Sequence, residues 1–325
     1  MILNEKFFVF CMDKHQTIFS MQTILGASGV IGRKLAKELF YYTDNIRLVS
    51  RNPQKINETD ELFTADLTIP HEVEKSIEGS DIVYLTVGLP YSYGKWKNDW
   101  PPLMKNVINA CKRSNAKLVF FDNVYMYDRY HIKSMTEETP VRPTSKKGEI
   151  RAQIAKDLWD ELDHGKIDAI IARSADFIGP QNSILTELVY NQLRKGKKAN
   201  WLADASKIHN FTNTIDAAKG TALLGNTPDA YNQIWHLPTD KTPMTGKQWI
   251  ELFAEEMGTT PDFREISFWQ LGLLGIFKPI LKEIKEMGYQ YDRDYFFDSS
   301  KFAERFSYTP FTPKESVKDI IKKLQ

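Results

Sequence analysis

The sequence has 325 residues, of which 42% are hydrophobic, and its 43 basic residues nearly balance its 42 acidic ones. A chain of this length and composition can bury the core of one large domain or of two closely joined lobes. The near-zero net charge, without a basic run or a basic and aromatic stripe, argues against nucleic acid as a partner. Its two cysteines, Cys11 and Cys111, provide neither a disulfide framework nor the spacing of metal ligands, so we expect a reducing, cytoplasmic location and no metal site.

The first twenty residues do not fit the pattern of the rest. Their apolar run at 7–12 is too short to span a membrane, and Asp13 and Lys14 follow it where a signal peptide would have small residues for cleavage. We therefore expect no membrane association. Met21 lies directly before the first predicted strand, so we expect the natural start there, with residues 1–20 an extension or a start-site artefact.

Three glycines organise the next stretch. A short β-prone run at 23–25 leads into Gly26, Gly29 and Gly32, and a helical pattern with one apolar face follows. Gly26 lets the chain turn off the strand, Gly29 lets backbone N–H groups approach a phosphate, and Gly32 lets the helix pack closely on the sheet. The N-terminus of that helix favours the pyrophosphate of a dinucleotide. The alternative interpretation is that the glycines form an ordinary turn between a strand and a helix and bind no dinucleotide.

The spacing G-x-x-G-x-x-G, followed by a second predicted strand at 46–50, resembles the extended and atypical short-chain dehydrogenase/reductase superfamily, of the NAD-dependent epimerase/dehydratase-like kind. The resemblance covers residues 21–325. It implies an α/β fold, a Rossmann-type doubly wound parallel sheet with a smaller C-terminal substrate lobe. We expect the dinucleotide-binding domain at 21–180 and the substrate lobe mainly at 181–325, with a strand near 233–237 returning to the main sheet.

The end of the second strand bears on the choice of cofactor. An acidic residue there would bind the ribose 2′-hydroxyl of NAD, whereas an arginine accommodates the 2′-phosphate of NADP. The sequence has Ser50 and Arg51, so it favours NADP with NAD as the other possibility, unless Arg51 is only a surface charge. Asp66 corresponds in the family to an aspartate that meets the adenine amino group, or it caps the next helix.

Four aromatic residues, Tyr91, Tyr93, Trp96 and Trp100, follow the fourth predicted strand. Loops at the carboxyl edge of an open sheet commonly contact substrate. Large aromatic side chains can equally cover the helix predicted at 103–113. Both interpretations stay open from the sequence.

The fifth predicted strand, at 117–121, runs into D-N-V-Y-M-Y, which resembles the S-S-x-x-V-Y-G segment of extended members. Aligning Tyr127 with the tyrosine of that segment places Asn123 where the catalytic serine or threonine stands, and an amide can still donate and accept hydrogen bonds. After a matching E-E-T-P-V-R-P, the two slots of the family's Y-x-x-x-K pair hold Lys147 and Arg151. The chain therefore lacks the family's standard proton donor.

Lys147 and Arg151 lie one helical turn apart, so we expect both charges on the face toward the cofactor cleft. They could bind the nicotinamide ribose, a substrate carboxylate or a phosphate. A lysine beside another cation has a lowered pKa, so Lys147 could carry a proton, and Tyr125 is the other candidate acid. The alternative is that both cations only stabilise an exposed helix. The candidate catalytic residues are Asn123, Tyr125, Lys147 and Arg151.

The expected cofactor contacts come from the glycine turn, from the ends of the second to fourth strands and, through the resemblance, from the Y-x-x-x-K slots. They are Gly26, Ser28, Gly29, Val30, Ile31, Gly32, Arg51, Asp66, Leu67, Thr86, Val87 and Lys147.

The second half of the chain gives fewer signals. The sixth strand ends at Arg173 and leads into A-D-F-I-G-P, which resembles the R-P-x-x-x-Y-G-P segment of extended members with Ile178 in place of its tyrosine. We expect Asp216 to be a helix N-cap, although in the family it ties the lobe to the main domain. His236, at the end of the seventh strand, fits packing or hydrogen bonding better than catalysis. An apolar helical stretch at 268–286, interrupted by Pro279, predicts a lid or a dimer surface.

These observations favour an NAD(P)-dependent oxidoreductase or an epimerase/dehydratase-like enzyme that acts on a small polar or sugar-like molecule through a non-standard catalytic site. The alternative is an inactive NADP-binding sensor or regulatory protein, which the loss of the tyrosine would suit. The resemblance also suggests a homodimer formed through the helices near 103–113 and 148–162.

Overall fold

The computed structural model describes residues 20–274 and 279–325. The expectation about an N-terminal extension, together with Cys11, therefore lies outside the described residues apart from Ser20. Part of the apolar stretch predicted at 268–286 also lies outside them, at 275–278.

The described residues form eleven strands, most of them four to six residues long. In chain order they are β1 (Gln22–Leu25), β2 (Ile46–Ser50), β3 (Glu61–Thr64), β4 (Ile82–Leu85), β5 (Lys117–Asp122), β6 (Ala169–Arg173), β7 (Phe177–Ile178), β8 (Ala199–Leu202), β9 (Thr212–Asn213), β10 (Gln233–His236) and β11 (Phe263–Ile266).

Eleven helices connect these strands in the described part of the chain. They are α1 (Val30–Leu39), α2 (Pro70–Ile77), α3 (Tyr93–Ser114), α4 (Lys146–Asp163), α5 (Asn191–Leu193), α6 (Thr214–Gly225), α7 (Gly246–Met257), α8 (Phe268–Leu274), α9 (Pro279–Glu286), α10 (Ser300–Phe306) and α11 (Pro313–Leu324). A π-helical turn, Thr186–Tyr190, leads directly into α5. None of the helices traced in these two stretches is both long enough and apolar enough to cross a bilayer.

Seven strands build one parallel sheet in the order β10, β6, β5, β4, β1, β2, β3. The chain runs outward from β1 to β3 and then returns to β4 on the other side of β1. The order therefore reverses between β1 and β4, and in such sheets ligands bind beyond the carboxyl ends of the strands at this reversal. β10 pairs with β6, which brings a strand from the second half of the chain into the main sheet. The fold is the predicted Rossmann-type α/β fold.

Both faces of the central sheet are covered by helices. All four residues of β4 are buried, with Tyr84 in the core under α1 and α6 and Leu85 in the core under α2, α3 and α4. Strands buried on both faces are rich in apolar residues, and β4 (I-V-Y-L) fits this pattern, with the Tyr84 hydroxyl bonded to the side chain of Gln22. Two small parallel sheets, β7 with β9 and β8 with β11, belong to the C-terminal part of the chain.

Asp216 is not the helix cap that the sequence suggests. The N-cap of α6 is Asn213, whose side-chain oxygen accepts a hydrogen bond from the N–H of Ile215. Asp216 lies in the first turn and accepts hydrogen bonds from the Tyr308 hydroxyl at 2.7 Å and from the Phe311 N–H at 2.8 Å. The N-cap prediction was wrong because the long-range partners, which local sequence does not reveal, position this carboxylate. Asp216 joins α6 to the C-terminal segment.

Candidate functional site

The glycine turn forms a tight cradle where the strand order reverses. A Cβ at Gly26, which has φ +92°, would lie 2.8 Å from the Cα of Val87, and a Cβ at Gly32 would lie 2.6 Å from the carbonyl oxygen of Gly26. A side chain at either position would force the backbone apart. Gly29 is the N-cap of α1, so the free N–H groups of the first turn of α1 lie at this edge of the sheet.

A groove of about 600 Å³ extends from this cradle toward the ends of β2 and β3. Ser28 and Ser50 share a hydrogen bond of 2.7 Å between their hydroxyls, and Arg33 and Arg51 line the same groove. Both arginines are exposed, and neither forms a salt bridge with any residue of 20–274 or 279–325. Arg33 was missed by sequence reasoning, although it directly follows Gly32.

Asp66 also lines this groove. Its carboxylate accepts hydrogen bonds from the N–H of Thr68 at 2.9 Å and from the Thr68 hydroxyl at 2.7 Å. These hydrogen bonds lower the pKa of Asp66, and the charge of Arg51 lowers it further. Asp66 does not cap α2, whose N-cap is Ile69 without a side-chain hydrogen bond. Leu67 lines the groove beside Asp66.

A second cavity, of about 410 Å³, adjoins the groove. Residues of the α1 turn and of the segment after β4 line both spaces, including Gly29, Val87 and Gly88. The second cavity is covered from the C-terminal part of the chain, where Ile284 of α9 and Met287 line it. The stretch that was predicted as a lid or dimer surface therefore reaches the cavity through α9. Val30, Ile31 and Thr86, which were expected near the cofactor, lie in the wall of this cavity.

Arg151 lines the second cavity but is held in a buried ion pair. Its Nε donates to Oδ1 of Asp122 at 2.8 Å, and its Nη2 donates to the same oxygen. The rings of Trp100 and Phe120 lie 4.5 Å and 4.9 Å from the guanidinium carbon. Because Asp122 is 1% exposed, this charge pair is largely shielded from solvent.

The structure separates Lys147 from Arg151, although they are neighbours on α4. Lys147 is fully buried and lines neither cavity. Its ammonium forms ion pairs with Glu283 and, at 2.6 Å, with Glu286, both on α9, and lies 4.8 Å from the centre of the Tyr91 ring. Lys147 thus joins α4 to α9. Its predicted contact with the nicotinamide ribose and its predicted catalytic role stay predictions.

Asn123 and Tyr125 lie together in the wall of the second cavity. The side-chain oxygen of Asn123 accepts a hydrogen bond from the N–H of Tyr125 at 3.0 Å. The Tyr125 ring stacks on Trp96 with 6.1 Å between ring centres, and Tyr91 lies edge-on to Trp96. Burial raises the pKa of Tyr125, so its phenol stays protonated at neutral pH. Three of the four aromatic residues that the sequence places in a loop belong to α3 itself, because the helix begins at Tyr93 and not near 103. Trp96 and Trp100 are buried on α3, and they line the cavity together with Tyr91.

Sequence reasoning missed a polar cluster around Asp176, which also lines this cavity. Oδ2 of Asp176 accepts a hydrogen bond from the Tyr291 hydroxyl at 2.7 Å and lies 3.1 Å from Nε2 of His209. The His209 ring is stacked between Tyr291 and Tyr295, with 4.3 Å between ring centres on each side. Asp176 lies in the A-D-F-I-G-P segment that resembles the family, which was the one available signal. The tyrosines come from more than a hundred residues later in the chain.

His236 is a structural residue, as its position at the end of a strand indicates. It is fully buried, and burial lowers its pKa to about 3. Its Nδ1 lies 2.6 Å from the carbonyl oxygen of Asp298 and its Nε2 lies 2.7 Å from the Tyr127 hydroxyl. A neutral ring satisfies both contacts when Nδ1 donates and Nε2 accepts, and the Tyr127 oxygen in turn accepts from Arg173 at 3.0 Å.

Comparison with known proteins agrees with this geometry. Residues 23–236 match the NAD-dependent epimerase/dehydratase family. The chain belongs to this family. Its members are expected to bind a nicotinamide cofactor, and the glycine cradle, the exposed arginines and the N-terminus of α1 fit that group. No curated protein sequence matches the chain.

Solved structures with the same fold include several enzymes. One is a UDP-N-acetylglucosamine 4-epimerase from Methanobrevibacter ruminantium in complex with UDP-N-acetylmuramic acid, with 16% identity, a TM-score of 0.75, and 94% of this chain and 99% of that chain covered. Another is the Citrobacter sp. triphenylmethane reductase complexed with NADP(H), with 15% identity, a TM-score of 0.70, and 92% and 99% covered. A third is the Thermus thermophilus UDP-glucose 4-epimerase complex with NAD, with 14% identity, a TM-score of 0.72, and 93% and 99% covered. Because the sequence identities are 14–16%, the likeness to these structures establishes the fold alone.

Proposed function

We propose that this family member is an NADP(H)-dependent oxidoreductase that acts on a small organic molecule in the 410 Å³ cavity. The observation that carries the proposal is the pair of exposed arginines, Arg33 and Arg51, beside the Ser28 and Ser50 hydroxyls. β2 ends without a carboxylate that would bind a free ribose 2′-hydroxyl. Because the structural neighbours include complexes with NAD and with NADP(H), the choice rests on this chain's own residues.

The two adjoining spaces match the two ends of such a cofactor. In our proposal the adenosine end occupies the 600 Å³ groove, with Arg51 and Arg33 at the 2′-phosphate and Asp66 toward the adenine. The N–H groups at the start of α1 bind the pyrophosphate. Gly29 and Val87, which line both spaces, mark the passage to the substrate cavity. When bound there, the nicotinamide supplies or accepts a hydride.

The chain's own residues then hold the substrate. We assign the direct contacts to Asn123 and Tyr125, since both line the cavity, with Arg151 fixed behind them by Asp122. Lys147 acts in this proposal as a positioning residue, because its ion pairs hold α9 over the cavity. Pairing of two copies through α3 and α4, which pack side by side, stays a prediction.

Cofactor titration tests the first part of the proposal. NADPH should bind about tenfold or more tightly than NADH, because one charge-assisted contact to the 2′-phosphate is worth about 1.5–3 kcal/mol. Arg51→Ala should remove most of that preference and leave NADH binding unchanged, and Arg33→Ala should act in the same direction. Arg142→Ala, which removes an exposed arginine outside both cavities, is the matched control. Equal binding of the two cofactors would overturn the NADP assignment.

Measuring NADPH turnover distinguishes the proposed oxidoreductase from an inactive NADP-binding sensor. The oxidoreductase should oxidise NADPH with at least one member of a panel of carbonyl compounds, imines and sugars. A protein that binds NADPH tightly and never oxidises it across the panel would be the regulatory alternative.

A further inference from the structure

Among the residues that the structure describes, the second cavity offers a ligand one accessible charged side chain, and it is the carboxylate of Asp176. Its charged lining residues are Asp122, Arg151 and Asp176. The Arg151 side chain is 4% exposed and bonded to Asp122, whereas the Asp176 side chain is 18% exposed. Asp176 is in contact with His209 and Tyr291, and no lysine or arginine forms a salt bridge with it within residues 20–274 and 279–325. A ligand in this cavity therefore meets a carboxylate that pairs with no lysine or arginine of the described residues and whose basic contact is the His209 ring.

Aromatic rings form much of the remaining wall. Ring faces attract cations, and flat molecules stack on them. The aromatic lining residues are Tyr91, Trp96, Trp100, Phe121, Tyr125, Phe177, Tyr291 and Tyr295.

These linings do not suit the diphosphate of a nucleotide sugar. Two phosphates are bound by arginine or lysine side chains or by backbone N–H groups at a helix N-terminus, and in our proposal the cofactor already occupies the N-terminus of α1. Arg151 is the basic residue that lines the cavity among the residues the structure describes, and Asp122 already occupies its Nε and Nη2. An anion would instead be repelled by Asp176.

The replacement of the Y-x-x-x-K pair also argues against an ordinary carbonyl substrate. Reduction of a carbonyl group needs both a hydride and a proton. Lys147 and Arg151, in the two slots of that pair, are both held in buried ion pairs. Burial raises the pKa of Tyr125, the remaining candidate acid in the wall, which makes it a weaker proton donor. A cationic carbon–nitrogen double bond needs no proton, because its carbon takes up the hydride and its π electron pair moves onto nitrogen. The product is a neutral amine, and the reduced cofactor becomes NADP⁺.

We infer that the cavity binds a flat, aromatic, iminium-type cation, with its positive charge against Asp176 and its rings against the aromatic walls. This inference names the substrate class of the proposed reductase, and its reduction step rests on that proposed function. The binding of the cation does not need the cofactor and can be measured alone.

The binding test uses the N-methyl-3,4-dihydroisoquinolinium cation, with 1,2-dihydronaphthalene as a neutral analogue, 1-naphthoate as an anionic one, and UDP-glucose as a nucleotide sugar. Quenching of tryptophan fluorescence reports occupancy, since Trp96 and Trp100 line the cavity. The cation should bind about tenfold more tightly than the neutral analogue, and the anions should bind more weakly than either. Tighter binding of naphthoate or UDP-glucose would overturn the inference.

Two variants and one control variant test whether the Asp176 carboxylate causes the selectivity. Asp176→Asn should abolish the preference for the cation and leave the neutral analogue and NADPH binding unchanged. Tyr291→Phe removes a donor from the carboxylate, so it should keep or increase the preference. Asp262→Asn makes the same charge change at an exposed site and should have no effect. An equal loss of all ligands in Asp176→Asn, with NADPH binding intact, would contradict the assignment.

The reaction test follows NADPH oxidation by the same cation in H₂O and in D₂O. The rate of the reduction step should be the same in both solvents and constant between about pH 6 and pH 9, because no proton is transferred. A clear solvent isotope effect, or tight binding of the cation and of NADPH without oxidation, would overturn the reduction. Failure of NADPH to bind would instead overturn the proposed function and leave the cation-binding result standing.

Discussion

Arg151 and Asp122 form a buried pair in which Nε donates to Oδ1 at 2.8 Å, and the same carboxylate faces a second guanidinium. Nε of Arg173 lies 3.5 Å from Oδ2 of Asp122, and the two residues are paired in the register of β5 and β6. One carboxylate therefore serves two buried arginines at the carboxyl edge of the sheet. The Arg151–Asp122 pair links α4 to the end of β5 at the wall of the second cavity.

Removing the carboxylate should cost more stability than removing one of its arginines. Asp122→Asn leaves two guanidinium groups without a counterion, and breaking a buried pair in this way costs about 3–5 kcal/mol. Arg151→Met should cost less, because Arg173 still faces Asp122. Urea denaturation of both variants measures the difference. A larger loss for Arg151→Met would show that Arg173 does not compensate.

Lys147 should hold α9 against α4. Lys147→Met leaves Glu283 and Glu286 without their buried partner, so we expect faster amide hydrogen exchange in 280–290 and a loss of about 1–3 kcal/mol. Lys146→Met is the matched control, because the adjacent lysine is exposed and lies over the ring of Tyr93. The same exchange rates in both variants would exclude this role for Lys147.

Asp216 should give the protein a pH-dependent stability. Burial raises its pKa to about 6, above the ordinary value of 3.8, so the folded state holds a proton that the unfolded state has lost. The stabilising contribution is complete below about pH 4 and is lost as the pH rises through about 6, an effect on the order of 3 kcal/mol. Relative to Asp216→Asn, the wild type should become less stable between about pH 4 and pH 7.

Urea denaturation of both proteins across that range makes the comparison. His236, whose pKa is lowered to about 3, changes stability in the opposite direction, but it is present in both proteins and cancels. Parallel stability curves for the wild type and Asp216→Asn would show that Asp216 is already ionised in the folded protein at low pH.

The sequence alone determined the features that depend on short-range spacing. These features are the glycine turn, the apolar strands and the residues at strand ends. Their local geometry is set within a few positions by backbone conformation and by the pattern of apolar residues. Glycine is required at positions 26 and 32, because a Cβ there would clash with the segment after β4 or with the backbone of the turn itself. The same logic placed Arg51 and Asp66 beside one another at the sheet edge.

Only the tertiary structure decided the partners of the charged and aromatic side chains. Lys147 and Arg151 look equivalent on α4, yet Arg151 meets Asp122 and Lys147 meets Glu283 and Glu286. Asp176 likewise acquires its hydrogen-bond partner Tyr291 from a segment 115 residues away. Buried charges are stabilised by whatever counterion the fold brings within a few ångströms, and sequence spacing does not encode that distance. The charge of the second cavity is consequently a property of the folded chain.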